Sequence, residues 1–186
     1  MGQPKQIMSI NGKPFISHCL DHLFACGISD VAVVLGAYRE RVIPLIAGYP
    51  VKLVCNLKME SEMADSVRLG LFAVSEAASG VLVCLSDHPL VARETYRRLA
   101  DLHLQLPDKI LIPSYREKRG HPGLFPQVLI DQVNHGFHLR QIIDRNAQTV
   151  KSVAVDDSGI LCDMDTLADY QNACRGKCGI AAKNRG

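Results

Sequence analysis

Residues 80–90, Gly-Val-Leu-Val-Cys-Leu-Ser-Asp-His-Pro-Leu, decide the fold of this 186-residue chain. Residues 81–85 are apolar without interruption, which predicts a strand covered on both faces, as in a parallel sheet between layers of helices. Asp87 follows two residues after this strand, at the edge of the sheet where α/β proteins collect their ligands. An aspartate there can bind a divalent cation, and it can equally cap the next helix or shape the turn.

Strands and helices alternate along the chain on both sides of this stretch. Apolar runs predict further strands at residues 31–35, 51–55, 110–112, 124–125 and 152–155. Apolar residues at helical spacing predict helices at residues 14–26, 39–47, 62–78, 92–106, 127–133, 139–146 and 166–173. Residues 114–123 are polar, basic and rich in turn formers, which indicates a loop. The alternation is typical of a doubly wound α/β fold with right-handed crossovers.

The composition is that of an ordinary globular domain, with 47% hydrophobic and 22% charged residues. A net charge of +2 predicts no general affinity for nucleic acid or for a membrane surface. The first residues, MGQPK, lack the apolar core of a signal peptide, and no segment reaches the length of a membrane span. The seven cysteines are scattered without a zinc-binding spacing, which favours reduced thiols. We therefore expect a cytoplasmic protein.

Four polar clusters fall where loops leave the predicted strands. They are residues 2–5 (GQPK), Asn56 with residues 62–68 (EMADSVR), residues 86–89 (SDHP) and residues 163–166 (DMDT). Together they offer a lysine for phosphate charge, small polar groups at the start of a helix, and two separate acidic sites. Mg²⁺ takes few carboxylates and several phosphate or water oxygens, so one aspartate from each of two loops suffices. The clusters therefore suit a nucleoside triphosphate with Mg²⁺.

The order and spacing of these motifs resemble those of the molybdenum-cofactor nucleotidyltransferases, and of their cytidylyltransferase branch in particular. The shared motifs, between Met1 and about Asn172, are MGQPKQ, NGKP, NLKMESEMADSVRLGL, LSDHPLV, RGHPGLF and DMDT. The resemblance implies a three-layer, Rossmann-like nucleotidyltransferase fold with a mostly parallel sheet, spanning residues 1–174 ahead of a basic, flexible tail at 175–186. It implies Mg²⁺-dependent transfer of CMP from CTP to molybdopterin, with release of pyrophosphate. CTP or GTP, molybdopterin, and a molybdoenzyme or its chaperone are the partners that it implies.

Carried over residue by residue, the resemblance assigns the phosphate and metal contacts. Lys5 matches the lysine that contacts the nucleotide phosphates, and with Asp87 it would support catalysis. Asp87 matches the metal-binding aspartate, and Asp163 matches the second metal site, with Asp165 beside it. CTP is favoured over GTP because guanylyl relatives tend to carry Asn where this chain has Asp163 and Asp165. From the residues alone, Lys5 is also compatible with a solvated end and Asp163 with a helix cap.

The resemblance also assigns residues to the nucleotide and to the acceptor. Asn56, Ser66 and Arg68 fall in the segment that borders the nucleotide, and His121 lies in the segment expected to face the acceptor. Ser66 and Arg68 are equally compatible with a polar helix face. His121 precedes Pro122, and this position favours a turn residue over a catalytic base.

Three features depart from the family pattern. His88 stands where Gln or Met is usual, and Glu62 stands where Gly is usual, which adds negative charge near a proposed phosphate site. The family also begins with a strand and a Gly/Ser/Arg loop, whereas this chain starts at the Met that follows them. We therefore expect a missing first strand, with residues 31–35 and 81–85 as the neighbours that lose a partner. We also expect upstream, in-frame DNA to encode that strand and loop.

Two other functions stay open at this point. One is nucleotidyl transfer from another base or to another acceptor, as in a guanylyl- or sugar-phosphate nucleotidyltransferase. The other is a non-catalytic module that delivers the cofactor to a partner enzyme. Release of pyrophosphate that requires molybdopterin separates these alternatives from the cytidylyl reaction.

Overall fold

The computed structural model describes residues 7–58 and 60–164, so the predicted helix at 166–173 lies outside the described residues. The helices are α1 (Phe15–Ala25), α2 (Arg39–Ile46), α3 (Met63–Ala73), α4 (Arg93–Gln105), α5 (Gln127–Ile130) and α6 (Leu139–Arg145). The strands are β1 (Ser9–Ile10), β2 (Lys13–Pro14), β3 (Ala32–Leu35), β4 (Lys52–Cys55), β5 (Gly80–Val83), β6 (Ile110–Tyr115), β7 (Lys118–Arg119), β8 (Gly123–Pro126) and β9 (Val150–Ala154). None of the helices in this part of the chain has the length and apolar character needed to cross a bilayer.

The strands pair in both directions. β3 and β4 are parallel, and so are β6 and β9. β8 lies antiparallel between β5 and β6, and β7 forms a hairpin with the end of β6. β1 and β2 form a separate short antiparallel ladder. The predicted α/β class, with a sheet rich in parallel pairs, is confirmed.

Helices cover the strands on both faces, which gives three layers. On one face, an apolar cluster joins α1, α2 and α4 to β3 through Ile16, Leu20, Leu23, Val33, Leu35, Val42, Ile46 and Tyr96. On the other, α3, α5 and α6 pack on β6 and β8 through Ala64, Leu71, Ile110, Ile112, Phe125, Ile130 and Ile142. Leu111, between Ile110 and Ile112, instead packs with Leu99 of α4, as the alternation of a strand requires. Burying one such side chain contributes roughly 1.5–3 kcal/mol, so these clusters hold the layers together.

The helix predicted at 62–78 ends earlier, at Ala73. Val74 already has extended backbone (ψ 164°), and the next backbone N–H, that of Ser75, donates to the Asp30 carboxylate at 2.7 Å. The bond ties the end of α3 to the loop that precedes β3. A tertiary contact of this kind leaves no trace in the helical spacing of the sequence.

The loop predicted at 114–123 is largely strand. β6 continues to Tyr115, and Arg116 and Glu117 then turn the chain into β7 with φ values of 48° and 66°. Two successive residues with positive φ match the right-handed twist of a tight hairpin, although Gly or Asn is usual there. The charged residues of this segment do not form a strand pattern, so the sequence did not predict the hairpin.

The cysteines only partly match the expectation of reduced thiols. Cys19, Cys26, Cys55 and Cys84 are free, whereas Cys162 is disulfide-bonded, so the expectation is wrong at that position. Burial raises the pKa of the Cys19 thiol to about 11 and raises that of Cys84 as well. Both buried thiols are therefore protonated and unreactive at neutral pH.

β3 and β5, which run side by side in the middle of the fold, are not paired with each other. Among the described residues, β3 pairs only with β4 and β5 pairs only with β8. An apolar groove lies between the two strands and is lined by residues of both.

Candidate functional site

The carboxyl ends of β3, β4 and β5 meet at one edge of the fold. A cavity of about 420 Å³ opens there, and its rim includes Gly36 after β3, Asn56 and Lys58 after β4, and Ser86 after β5. Parallel strands place the loops that follow them at a common edge, which is where ligands bind in open α/β folds. This edge therefore carries the candidate site, as the sequence predicted.

Two of the predicted nucleotide-binding residues lie in direct contact. The Asn56 side chain is buried, and its amide donates to the Ser66 hydroxyl at 3.2 Å. The side-chain oxygen of Asn56, Oδ1, accepts the Lys58 backbone N–H at 3.1 Å. These bonds attach the loop after β4 to the first turn of α3, so Asn56 shapes the rim.

Arg68 is held against the protein. Its guanidinium donates to the Val133 carbonyl at 3.1 and 3.2 Å and lies 3.4 Å from the Asp65 carboxylate. These contacts fasten α3 to the 3₁₀ turn Asp131–His135. The structure thus gives Arg68 a packing role, and a phosphate contact would have to replace some of these bonds.

Glu62 has a structural explanation for its departure from the family pattern. It is the N-cap of α3, and its side chain accepts the Asp65 backbone N–H while Asp65 accepts the Glu62 N–H at 3.0 Å. Such a capping box satisfies two helix N–H groups, and negative charge at a helix N-terminus is stabilising. A hydrogen bond from Lys58 is the main cause that lowers the pKa of Asp65. Lys58 therefore offsets the charge of Asp65, the other carboxylate of the capping box.

The structure brings Asp87, His121 and Asp163 together, although they are far apart in the chain. The Met164 backbone N–H donates to the Asp87 carbonyl at 3.1 Å, which sets the Asp163 segment beside the loop after β5. His121 interacts electrostatically with both carboxylates. Burial lowers the pKa of His121, nearby His88 lowers it further, and Asp87 and Asp163 act in the opposite direction. His121 is therefore predominantly neutral at neutral pH.

His88 is a contact residue that the sequence only flagged as unusual. It is buried, and its ring lies 5.1 Å from the ring of His121, tilted by 57°. The His88 ring therefore supports the His121 ring by direct contact. A larger or charged side chain at this position would move His121.

The two carboxylates fit a hard divalent ion. Within residues 7–58 and 60–164, no group of three or more His, Cys, Asp or Glu side chains is arranged to hold a metal. Asp87 and Asp163 alone offer the few hard oxygen ligands that Mg²⁺ prefers when phosphate and water oxygens supply the rest. Lys5 and Asp165 lie outside the described residues.

Asp157 connects its own loop to the start of α4, whereas the sequence indicated only a turn at this position. Its carboxylate accepts the Ala92 N–H at 2.8 Å, the Thr95 hydroxyl at 2.6 Å and the Gly159 N–H at 2.9 Å. Ala92 is the N-cap of α4 and has no polar side chain of its own, so Asp157 caps that helix from another loop. Alanine at the N-cap position offers no capping side chain, and this was the signal in the sequence that another segment caps α4.

Two glycines allow the site loops to pack closely. A Cβ at Gly120 would lie 2.2 Å from the Ile160 carbonyl oxygen, and one at Gly159 would lie 2.1 Å from that of Leu90. The His121 N–H also donates to Ile160 at 3.0 Å. These approaches lock the loops that carry His121, Asp87 and Asp163 against one another.

Comparison with known proteins identifies relatives of this chain. A family profile described as "MobA-like NTP transferase domain" matches residues 1–168. The bifunctional protein GlmU of Syntrophomonas wolfei subsp. wolfei is 28% identical over 160 residues, which are 86% of this chain but 34% of GlmU. The chain therefore spans about a third of that relative. The nicotine blue oxidoreductase of Paenarthrobacter nicotinovorans is 28% identical over 88% of this chain and 84% of its own length.

The fold is also shared with solved structures. Rv0371c from Mycobacterium tuberculosis H37Rv superposes with a TM-score of 0.79 at 26% identity, covering 94% of this chain and 91% of that one. A second structure of Rv0371c, in complex with manganese, gives a TM-score of 0.76 at 25% identity, covering 94% of this chain and 93% of that one.

Proposed function

The chain belongs to the MobA-like NTP transferase family, and from this premise we propose that it transfers CMP from CTP to molybdopterin and releases pyrophosphate. The observation that carries the proposal is the meeting of Asp87, Asp163 and His121 at one edge of the fold. Two carboxylates for a metal and a neutral histidine for an acceptor are what nucleotidyl transfer requires there. The choice of CTP as nucleotide and of molybdopterin as acceptor rests on the resemblance of the sequence motifs.

The reaction would proceed by direct displacement at phosphorus. An acceptor phosphate oxygen attacks the α-phosphorus of CTP, a new phosphorus–oxygen bond forms, and the bond to the β,γ-diphosphate breaks so that pyrophosphate leaves. Mg²⁺, when bound, neutralises charge on the triphosphate, and Asp87 and Asp163 would hold it. The relative solved with manganese is compatible with an ion of this class. Because little covalent chemistry is left to the protein, positioning and charge carry the catalysis.

The remaining site residues would position the two substrates. Lys5 would offset the negative charge of the triphosphate, and Asn56 and Ser66 would shape the rim beside it. His121, neutral and supported by His88, would hydrogen-bond the acceptor. We assign Arg68 to the support of α3, from which a contact to the nucleotide would need a rearrangement.

We also propose the extent of the domain, its location in the cell and the recipient of its product. The transferase domain would comprise residues 1–174, followed by a basic tail at 175–186. The protein would act in the cytoplasm and pass its product to a molybdoenzyme or to a chaperone of one.

Other acceptors are the main competing hypothesis. Similarity to GlmU, a bifunctional protein whose match covers 86% of this chain, supports testing sugar phosphates. The guanylyl reaction differs only in the base. A non-catalytic delivery module would bind molybdopterin without turnover.

A panel of substrates tests the proposal. Pyrophosphate release is measured with CTP, GTP, ATP and UTP, each with molybdopterin, with a sugar 1-phosphate or with no acceptor, in the presence and absence of Mg²⁺. We expect release only with CTP, molybdopterin and Mg²⁺ together. Release with a sugar phosphate or with GTP would replace the proposed substrate. Molybdopterin binding without release from any nucleotide would contradict nucleotidyl transfer. The similarity to nicotine blue oxidoreductase adds one control, an assay for conversion of nicotine blue, which should be absent.

A further inference from the structure

Two segments that are distant in the sequence, residues 87–92 and residues 157–164, lie side by side at the site. Each contributes one of the proposed metal ligands, Asp87 and Asp163. A hydrogen bond joins the segments at this end, where the Met164 backbone N–H donates to the Asp87 carbonyl oxygen at 3.1 Å. A contact that fixes the opposite end of the two segments therefore also limits how far the two carboxylates can move apart.

The Asp157 carboxylate makes that contact at the opposite end. One of its oxygens, Oδ2, accepts the Ala92 backbone N–H at 2.8 Å and the Thr95 hydroxyl at 2.6 Å, both at the start of α4. The other oxygen, Oδ1, accepts the Gly159 backbone N–H of its own segment at 2.9 Å. One carboxylate thus ties the end of the first segment to the beginning of the second.

Both segments are short and folded back on themselves by hydrogen bonds, so they can transmit this constraint. In the first segment, the Val91 backbone N–H donates to the His88 carbonyl oxygen at 3.4 Å, and the ring of Pro89 fixes the φ angle between them. In the second segment, Ser158–Leu161 form a 3₁₀ turn. Neither segment is an extended linker that could absorb a movement at one end without passing it to the other.

The two segments are also in direct contact along their middle. A Cβ at Gly159 would lie 2.1 Å from the Leu90 carbonyl oxygen, so the backbones touch there. Ile160 is fully buried and packs in the same apolar cluster as Tyr96 of α4. Apolar packing is non-directional, so it holds the segments together without fixing their relative position. The hydrogen bonds at the two ends, which need a specific distance and angle, fix that position.

We propose that Asp157 is a positioning residue, which sets the separation between the carboxylates of Asp87 and Asp163. The inference rests on the proposed function, because this separation matters only where both carboxylates hold one metal ion. Loss of residues that orient metal ligands typically costs about 10–100-fold in metal affinity or activity. Without the Asp157 carboxylate, the two segments keep their apolar contacts and the Met164 bond, and they are free to shift at the end next to α4.

Binding of Mn²⁺ alone, measured from the loss of the free-ion EPR signal, tests the carboxylate geometry without turnover. D157A should raise the Kd for Mn²⁺ about tenfold, and D157N, which keeps one oxygen acceptor, should raise it less. The matched control is D30A, which removes another short carboxylate bond, from the Ser75 backbone N–H at 2.7 Å, before β3 and away from the site. D30A should lower Tm as well, and it should leave the Kd for Mn²⁺ unchanged.

A second pair of variants applies even if D157A does not fold. T95V removes only the hydroxyl donor to Asp157, whereas T95S keeps a hydroxyl, so T95V should bind Mn²⁺ more weakly than T95S. Turnover gives a further readout with CTP, molybdopterin and Mg²⁺. D157A should lower kcat about 10–100-fold with little change in KM for CTP, because geometry at the metal is lost and the nucleotide contacts are not.

The outcomes separate the positioning role from the proposed reaction. Equal Mn²⁺ affinity in D157A and D30A, or in T95V and T95S, would overturn the positioning role and leave Asp157 as a structural cap. Mn²⁺ binding that is absent from the wild type, or that D87A leaves unchanged, would overturn the metal site and this inference with it. Mn²⁺ binding that depends on Asp87 and Asp157 in a protein without turnover would support the positioning role and contradict the proposed reaction.

Discussion

Replacing Asp157 with alanine should destabilise the folded protein. The change removes three short hydrogen bonds, to the N–H groups of Ala92 and Gly159 and to the hydroxyl of Thr95. Loss of a helix cap costs about 0.5–2 kcal/mol. Thr95 is 1% exposed, and a buried hydroxyl left without its partner costs about 1–3 kcal/mol. The sum is about 1.5–5 kcal/mol of unfolding free energy.

Thermal unfolding followed by circular dichroism measures this loss. For a chain of this length, 1 kcal/mol corresponds to about 2–4 °C, so D157A should lower Tm by about 3–20 °C. The neighbouring residue, Asp156, is exposed and provides the matched control D156A, which should change Tm by less than about 2 °C. D157N keeps one oxygen acceptor and should fall between the two. Equal Tm values for D157A and D156A would refute the assignment of Asp157 as the shared cap.

The other predictions concern the metal and the buried histidine. D87A should reduce Mg²⁺-dependent turnover about a hundredfold or more while the circular dichroism spectrum is unchanged, and normal turnover would contradict the metal assignment. D163N should raise the Mg²⁺ concentration needed for half-maximal turnover; an unchanged requirement would count against Asp163. Burial lowers the pKa of His103, so the unfolded chain binds the proton more readily and stability falls as pH drops below about 6.5. H103Q should flatten that decline in urea titrations from pH 7.5 to 5, whereas H135Q, at an exposed position, should leave it in place.

Features that depend on local patterns could be predicted from the sequence. The unbroken apolar run before Asp87 marked strand β5, although its residues are half-buried and not fully covered, and the spacing of apolar residues marked the helices. The meeting of Asp87, His121 and Asp163 agrees with what the motif resemblance implied, although their separation in the chain hides it from any local pattern.

Features that depend on tertiary contacts could not be predicted. β8 lies between β5 and β6 in antiparallel orientation, a pairing that two apolar residues, Leu124 and Phe125, do not specify. Asp157 looked like a turn former because its partners are about 60 residues away. Glu62 looked unfavourable for phosphate, and its role became clear only with the capping box of α3. In each case a partner distant in sequence, or a specific hydrogen-bonding geometry, decides the outcome.

The measurement that tests the central claim most directly is phosphorus NMR of the reaction mixture. The 186-residue chain is incubated with CTP, molybdopterin and Mg²⁺, and D87A is the matched control. The account predicts resonances of pyrophosphate and of a new diphosphate-linked product in equal amounts, absent with D87A. Intact CTP in every sample that contains the folded chain, or hydrolysis to CMP without the diphosphate-linked product, would contradict the claim that this protein is a molybdopterin cytidylyltransferase.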